Sequence, residues 1–172
     1  MNHHAHKIGG ICAGVIACTA MMKAPITFDK CLLSSALLVG SILGSRIPDI
    51  DHPDSKIGRK FKLLSWGVSK MFGHRGFTHT LLCTMLFSVL LFFCTAFLNG
   101  YLQVIYSQFV IGITVGYLSH LVLDCMTKSG VPLLYPFTTK HFRIAKFRTN
   151  RDEFIVSTIC IGVTSVIVAI LI

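Results

Sequence analysis

The strongest constraint on this chain is a series of apolar segments, each about as long as a membrane is thick. A helix crosses the hydrocarbon core of a bilayer with about 20 apolar residues. Five segments meet or approach that length, at residues 6–22, 31–47, 81–98, 104–123 and 154–172. We therefore predict an all-α, polytopic membrane helix bundle with about five transmembrane helices, formed as a single membrane-embedded domain over residues 1–172.

Composition agrees with this fold class and excludes an ordinary soluble domain. Of the 172 residues, 53% are hydrophobic and 13% are charged, and the mean hydropathy is +0.70. A soluble domain usually has about 25% charged residues. The first segment, which follows His6 and Lys7, could instead be a signal peptide, because a basic start before a short apolar stretch is typical of one. No good small-x-small cleavage site follows it, however.

The distribution of basic residues predicts the orientation in the membrane. The net charge is +9, and most lysines and arginines lie in two loops, residues 48–80 and 124–153. Both loops lie on one face of the membrane if the third and fourth segments form a hairpin between them. By the positive-inside rule that face is cytoplasmic. The N-terminus is then expected in the cytoplasm and the C-terminus outside.

Histidine and acidic residues lie in short motifs at the helix ends of that same face. After His6 come PDIDHPD, GHRGFTHT, SHLVLD and NRDE, in this order. Such residues at membrane depth are costly and by default functional. Imidazole with carboxylate, and no thiolate, suits zinc, iron or manganese. The candidate ligands are His6, Asp49, Asp51, His52, His74, His79, His120, Asp124 and Glu153.

This set exceeds the ligands of one ion, so two ions, or one ion with outer hydrogen-bond partners, are expected. Each motif has a structural alternative. The aspartates of PDIDHPD could form an Asx-turn, and the two histidines of GHRGFTHT could lie at the membrane interface. His120 and Asp124 share one helix face and could form only a hydrogen bond. The seven cysteines are scattered without a Cys-x-x-Cys pair, which indicates neither disulfides nor a thiolate site.

Four motifs carry a resemblance to a known family. PDIDHPDS, GHRGFTHT, GYLSHLVLD and GVPLLYPF, in this order over most of the chain, resemble the YdjM-type family of bacterial inner-membrane metal-dependent hydrolases. That family is thought to be distantly similar to the zinc-dependent phospholipase C and single-strand nuclease superfamily, whose all-helical enzymes bind several metal ions. The resemblance implies metal ligands at His6, Asp51, His74, His79, His120 and Asp124, and it matches an acidic position at Glu153.

Residues 56–72 form a basic amphipathic segment between the second and third apolar segments. Apolar side chains recur there at helical spacing, and lysines and arginine occupy much of the remaining surface. This pattern predicts an interfacial helix that contacts anionic lipid headgroups, although an ordinary positive-inside loop would also be basic. The basic surroundings favour an anionic substrate at the bilayer. No specific nucleic-acid binding is expected, because topology accounts for the charge.

These features favour a membrane-bound hydrolase. A water activated by a divalent metal, most simply zinc, would attack a phosphoryl or acyl centre of a phospholipid or lipid-linked phosphate. Asp49 would act as general base and Arg75 would hold the phosphate. A divalent-metal transporter or sensor, and a membrane factor with a structural metal, are the alternatives. An intramembrane metalloprotease is not expected, because the chain has no His-Glu-x-x-His.

Overall fold

The computed structural model describes residues 3–22, 25–72, 76–149 and 151–171, and over these residues the regular secondary structure is helical. The all-α prediction is therefore confirmed. Short 3₁₀ turns at Pro48–Asp51, Phe77–His79 and Cys94–Phe97 join or extend the helices. The helices are α1 His3–Met21, α2 Phe28–Gly44, α3 Lys56–Lys60, α4 Lys62–Phe72, α5 Leu81–Phe93, α6 Gly100–Cys125 and α7 Glu153–Leu171.

Several of these helices suit a bilayer. Among the described residues, three are long and apolar enough to cross one: Phe28–Asp51, which joins α2 to its 3₁₀ turn, Gly100–Cys125 and Glu153–Leu171. The stretch Leu81–Phe97 is a shorter apolar helix. α1 covers the first predicted segment, but its first turns carry histidines and a lysine, so less of its length is apolar. The protein is thus an all-α membrane protein with several candidate spans.

α6 is the central helix of the bundle. It packs against α1, α2 and α5, and α7 packs on the outside against α1. Tyr117 and Leu121 of α6 are buried, whereas Phe154 and Ile170 of α7 are 82% and 77% exposed. An apolar surface this exposed is expected where a helix faces lipid, since lipid tails are as apolar as these side chains.

Glycines allow the backbones of α2 and α6 to lie against each other. A Cβ at Gly116 would come within 2.0 Å of the Ser41 carbonyl oxygen, and one at Gly44 within 2.1 Å of the Ile113 carbonyl oxygen. Gly40 and Gly112 are equally close to the opposite backbone. The two Gly-x-x-x-Gly pairs therefore interlock, as small residues do in membrane helix pairs. This contact determines how close the C-terminal ends of α2 and α6 lie.

We expect Gly116→Ala to destabilise the protein by about 1–3 kcal/mol or more, because a methyl group there overpacks a rigid backbone contact. Gly162→Ala is the matched control, since a Cβ at Gly162 of α7 would meet no other helix of the described structure within 4 Å. Thermal unfolding of the two purified variants in the same detergent measures the difference. Equal melting temperatures would contradict the interlocked contact.

Candidate metal centre

The candidate site lies where five helix ends meet at one end of the bundle. These are the N-terminal ends of α1, α5 and α7 and the C-terminal ends of α2 and α6, as the contacts of His6, His79, Asp124, Ser45 and Glu153 show. α1 and α5 run antiparallel to α6, whereas α2 runs parallel to α6 and α7 runs parallel to α1, so these five ends lie on the same side of the bundle.

His120 and Asp124 form the α6 part of the site. They are one helical turn apart and both are buried, with His120 Nε2 3.5 Å from Asp124 Oδ2. The Ser45 carbonyl oxygen lies 2.8 Å from His120 Nδ1. A carbonyl oxygen can only accept, so neutral His120 carries its proton on Nδ1 and presents the lone pair of Nε2 to the cluster. The close α2–α6 packing brings Ser45 to this position.

His79 enters from the 3₁₀ turn Phe77–His79, directly before α5. The Thr80 side chain caps α5 by accepting the Cys83 N–H at 3.0 Å, so the helix begins at Leu81, two residues after His79. The Tyr117 hydroxyl donates to the Thr78 carbonyl oxygen at 2.6 Å and fastens the turn to α6. His79 is completely buried. Contacts of Thr78 and Thr80, the residues on either side of His79, therefore determine its position.

Asp51 lies behind His79. Its Oδ2 is 3.2 Å from His79 Nδ1 and accepts the Thr78 hydroxyl at 2.8 Å. A carboxylate on one imidazole nitrogen directs the other nitrogen toward a metal and makes it more basic. These contacts suit Asp51 as a residue that orients His79.

Three ligand atoms converge at the centre of the site. His79 Nε2 is 3.3 Å from His120 Nε2 and 3.4 Å from Asp124 Oδ2, and the third side of this triangle is the 3.5 Å separation of His120 Nε2 from Asp124 Oδ2. Ligands about 2.0–2.1 Å from a tetrahedral zinc ion are about 3.3–3.5 Å apart. The triangle therefore has the size of three vertices of such a site.

His6 adds an imidazole from α1. Its Nε2 lies 3.4 Å from Asp124 Oδ1, and its ring stacks on His120 with a centroid distance of 3.6 Å. His6 is 1% exposed, and within the described residues its ring nitrogens make no hydrogen bond. Burying an imidazole without a hydrogen bond costs free energy unless another partner binds it. This orphaned group fits a site that holds a metal ion.

Asp49 lies at the edge of the cluster. Its Oδ1 is 3.7 Å from His120 Nε2, and its side chain is 21% exposed, whereas the others in the cluster are almost completely buried. Two sets of residues could each hold an ion: His6, His120 and Asp124, and Asp49, His79 and His120. The sets share His120, and neither includes a cysteine.

Electrostatics at His79 favour a cation in the same place. Burial alone would lower the pKa of His79, but hydrogen bonding and charge from Asp124 and Asp51 outweigh it and raise that pKa to about 9. Two carboxylates in a buried site require a positive partner. A divalent ion meets this requirement, so donor type, spacing and charge all suit a metal centre.

Comparison with known proteins agrees with a membrane protein. The sequence profile described as YdjM inner membrane protein matches residues 1–171. The chain belongs to the YdjM inner membrane protein family. YvsG of Bacillus subtilis is 41% identical over 130 residues, which are 76% of this chain and 72% of YvsG. The inner membrane protein YdjM of Escherichia coli is 41% identical over 100 residues, which are 58% of this chain and only 49% of that protein. No solved structure matches the chain.

Not all sequence-predicted residues join the cluster of this YdjM-family protein. His74 and Arg75 lie outside the described residues. His52 Nδ1 accepts the Asp54 N–H at 3.1 Å and so closes the turn after Asp51. Glu153 accepts the Ala5 N–H at 3.0 Å. The carboxylate of Glu153 thus satisfies the N-terminal turn of α1, next to His6.

Three supporting residues were not anticipated from the sequence. They are Ser45, whose carbonyl orients His120, and Thr78 and Tyr117, which hold the His79 turn. The first could have been suspected from the two Gly-x-x-x-Gly spacings, which mark a close helix contact. A hydroxyl before a histidine, or a tyrosine in an apolar helix, is too common to reveal its role.

Glu153 allows a test between helix capping and metal binding. We expect Glu153→Gln to keep its metal, because the glutamine carbonyl can still accept the Ala5 N–H. Glu153→Ala is expected to weaken the α1 N-terminus by about 1 kcal/mol, as loss of a cap does, and to lower metal affinity modestly through His6. Metal titration of both purified variants measures this. Complete loss of metal in Glu153→Gln would instead make Glu153 a ligand.

Proposed function

We propose that this protein is a membrane-bound metal-dependent hydrolase, a phosphoesterase that acts on a phospholipid or lipid-linked phosphate at the cytoplasmic face of the inner membrane. The observation that carries the proposal is the triangle of His79, His120 and Asp124 atoms, 3.3–3.5 Å apart, with the less buried Asp49 beside it. Three protein ligands with an open fourth position are typical of catalytic rather than structural zinc sites.

The metal is proposed to be divalent, with zinc favoured by the mixed imidazole and carboxylate ligands. The two overlapping residue sets share His120, whose Nε2 has a single lone pair, so they are alternative positions for one ion, and a second ion would need further ligands. When bound, such an ion supplies Lewis-acid polarisation of a phosphoryl oxygen and lowers the pKa of a coordinated water. Asp51 would then keep His79 oriented, and the Ser45 carbonyl would do the same for His120.

Asp49 is proposed as the general base. Its carboxylate is the most exposed in the cluster and lies at its edge, where it can accept a proton from the attacking water. Arg75 remains the sequence-based proposal for holding the phosphate, because its guanidinium stays protonated and offers a bidentate donor. The buried remainder of the cluster would exclude bulk water, which strengthens each of these interactions.

The topology that we propose has five crossings, formed by α1, α2, α5, α6 and α7, with the cluster at the cytoplasmic face of the membrane. Support comes from the basic loops, which both lie at the end of the bundle that carries the cluster. The positive-inside rule assigns such an end to the cytoplasm. A lipid substrate could then reach the site by lateral diffusion within the inner leaflet.

A divalent-metal transporter is the second candidate, favoured by a row of buried hydroxyls. Thr80, the residue after His79, is followed at intervals of four residues by Thr84 and Ser88 of α5, and the Thr114 hydroxyl of α6 donates to Ser88 at 2.8 Å. Such a row is the polar continuation that a transport path would need. It contains no ionisable side chain, which weighs against the passage of a dehydrated dication.

Hydrolysis and transport differ in their response to Arg75→Ala. We expect this variant to keep its metal, because a guanidinium has no lone pair for a cation. Its hydrolysis of lipid phosphate should fall by about 10²–10³-fold, as on removal of an oxyanion donor. Bound metal, phosphate release from lipid micelles with and without chelator, and metal uptake in vesicles are measured together. Robust metal uptake by the parent protein, with no lipid phosphate hydrolysed, would contradict the hydrolase and favour the transporter.

A further inference from the structure

Two surface segments beside the metal centre combine exposed apolar side chains with positive charge. The first is α3 with α4. Leu63, Trp66 and Met71 are 89%, 60% and 74% exposed there, while Ser65 on the opposite side is completely buried. The Lys70 ammonium lies 4.8 Å from the centre of the Trp66 ring. Residues 56–72 include five basic residues and no acidic one: Lys56, Arg59, Lys60, Lys62 and Lys70.

The second segment is the loop of residues 127–149 between α6 and α7. Its two halves pair through Val131 and Phe142, which exchange backbone hydrogen bonds of 2.9 and 3.2 Å. Phe137 and Ile144 are 85% and 78% exposed. This loop also has five basic residues and no acidic one: Lys128, Lys140, Arg143, Lys146 and Arg148. The same combination of features thus occurs twice, in unrelated sequence.

Both segments are fastened to the backbone that carries the metal centre. The Ser55 hydroxyl, at the start of α3, donates to the Asp49 carbonyl oxygen at 2.8 Å, and α4 packs against the 3₁₀ turn Pro48–Asp51. The Ile144 N–H donates to the Cys125 carbonyl oxygen at 2.8 Å, one residue after Asp124. The Leu81 N–H, two residues after His79, donates to the Leu133 carbonyl oxygen at 2.9 Å.

We infer that α3–α4 and the 127–149 loop form a paired membrane-contact surface that sits in the anionic headgroup layer on either side of the metal centre. The apolar tips would enter the upper acyl region, and the lysines and arginines would bind lipid phosphates. Tryptophan is typical of this depth, because its ring is apolar and its N–H is polar. This inference does not depend on whether the cluster has hydrolase activity.

Charge and position favour lipid over a protein as the occupant. α5 begins at Leu81 and α7 at Glu153, so both segments adjoin apolar helices of a membrane protein, and a bilayer covers them without another partner. Ten basic residues without an acidic one match a surface of phosphates. A protein partner would need two separate acidic and apolar patches, spaced to fit both segments.

The single tryptophan of the chain, Trp66, is a built-in probe of this surface. The full-length protein is reconstituted into phosphatidylcholine and phosphatidylglycerol bilayers in which either lipid carries bromine, a fluorescence quencher. Phe137→Trp in a Trp66→Phe background reports on the second segment. Val163→Trp, in the same background, is the control within the exposed part of α7.

We expect residues 66 and 137 to be quenched most by bromine near the headgroups and residue 163 by bromine deeper in the chains. Brominated phosphatidylglycerol should quench residue 66 more strongly than brominated phosphatidylcholine, by about twofold or more. Lys60→Gln with Lys62→Gln should reduce this preference. Quenching by aqueous iodide as strong as for free N-acetyltryptophanamide, with none by bromine, would overturn the inference. Shielding from both quenchers would overturn it in favour of a protein partner, and equal quenching by the two lipids would refute the anionic preference.

Discussion

Asp124→Asn is expected to abolish metal binding at the proposed site. The two carboxylate oxygens of Asp124 reach three histidines, at 3.4 Å from His6 and His79 and 3.5 Å from His120. Asparagine has nearly the same shape but no charge, so the cluster loses the anion that favours a cation there. Metal affinity falls by about 10–100-fold when a residue that only orients a ligand is lost. The loss of Asp124 itself should lower metal affinity by more than that. Metal analysis of the purified variant gives the result.

Asp152→Asn is the matched control for this experiment. Asp152 lies at the same end of the bundle, where its carboxylate accepts the Arg148 N–H at 2.8 Å and the residue is partly exposed. It should therefore keep the full metal content. Circular dichroism of both variants checks that the helices persist. If Asp124→Asn held as much metal as Asp152→Asn, the triangle would not be a metal site, and the proposed hydrolase would lose its main support.

The second large effect is expected at Asp49. Asp49→Asn should lower hydrolysis of lipid phosphate by about 10²–10⁴-fold, because an amide cannot act as general base. Metal content should persist, since Asp49 lies 3.7 Å from His120 Nε2 and is not part of the tighter triangle. Turnover in lipid micelles and bound metal are measured on the same samples.

Asp54→Asn provides the comparison, because Asp54 is exposed on the adjoining turn. It should retain turnover and metal. Parallel loss of metal and activity in Asp49→Asn would make Asp49 a metal ligand and contradict its role as base. Unchanged turnover would remove Asp49 from the mechanism altogether.

Much of this architecture follows from local sequence patterns. Apolar length predicts the helices, because a buried or lipid-facing backbone must satisfy its hydrogen bonds internally. The prediction placed α6 at residues 104–123, and the helix begins at Gly100 and ends at Cys125. The segment of residues 56–72 was predicted as one helix, but Phe61 interrupts it. Boundaries of this kind depend on caps and tertiary contacts, which apolar periodicity does not report.

The residues of the candidate site were identified by their chemistry and by topology. Histidine and aspartate at these helix ends fall on one side of the bundle if the long helices that follow each other in the sequence run antiparallel. His6, His79, His120 and Asp124 do lie together. The individual roles were not apparent, because they depend on which atom faces which. Asp51 reaches Nδ1 of His79, and Glu153 reaches the backbone of α1; neither contact has a signature in local sequence.

By itself, the sequence determined the apolar helices, the residues that can act as metal ligands and the end of the bundle where these residues lie. These follow from hydrophobicity, periodicity and chain direction, which are properties of neighbouring residues. Only the tertiary structure decided the spacing of the ligand atoms, the tautomer of His120 and the orientation of His79. Gly44 and Gly116 let two backbones touch and bring the Ser45 carbonyl to His120. Contacts between residues 75 positions apart arise from packing, and local pattern does not specify them.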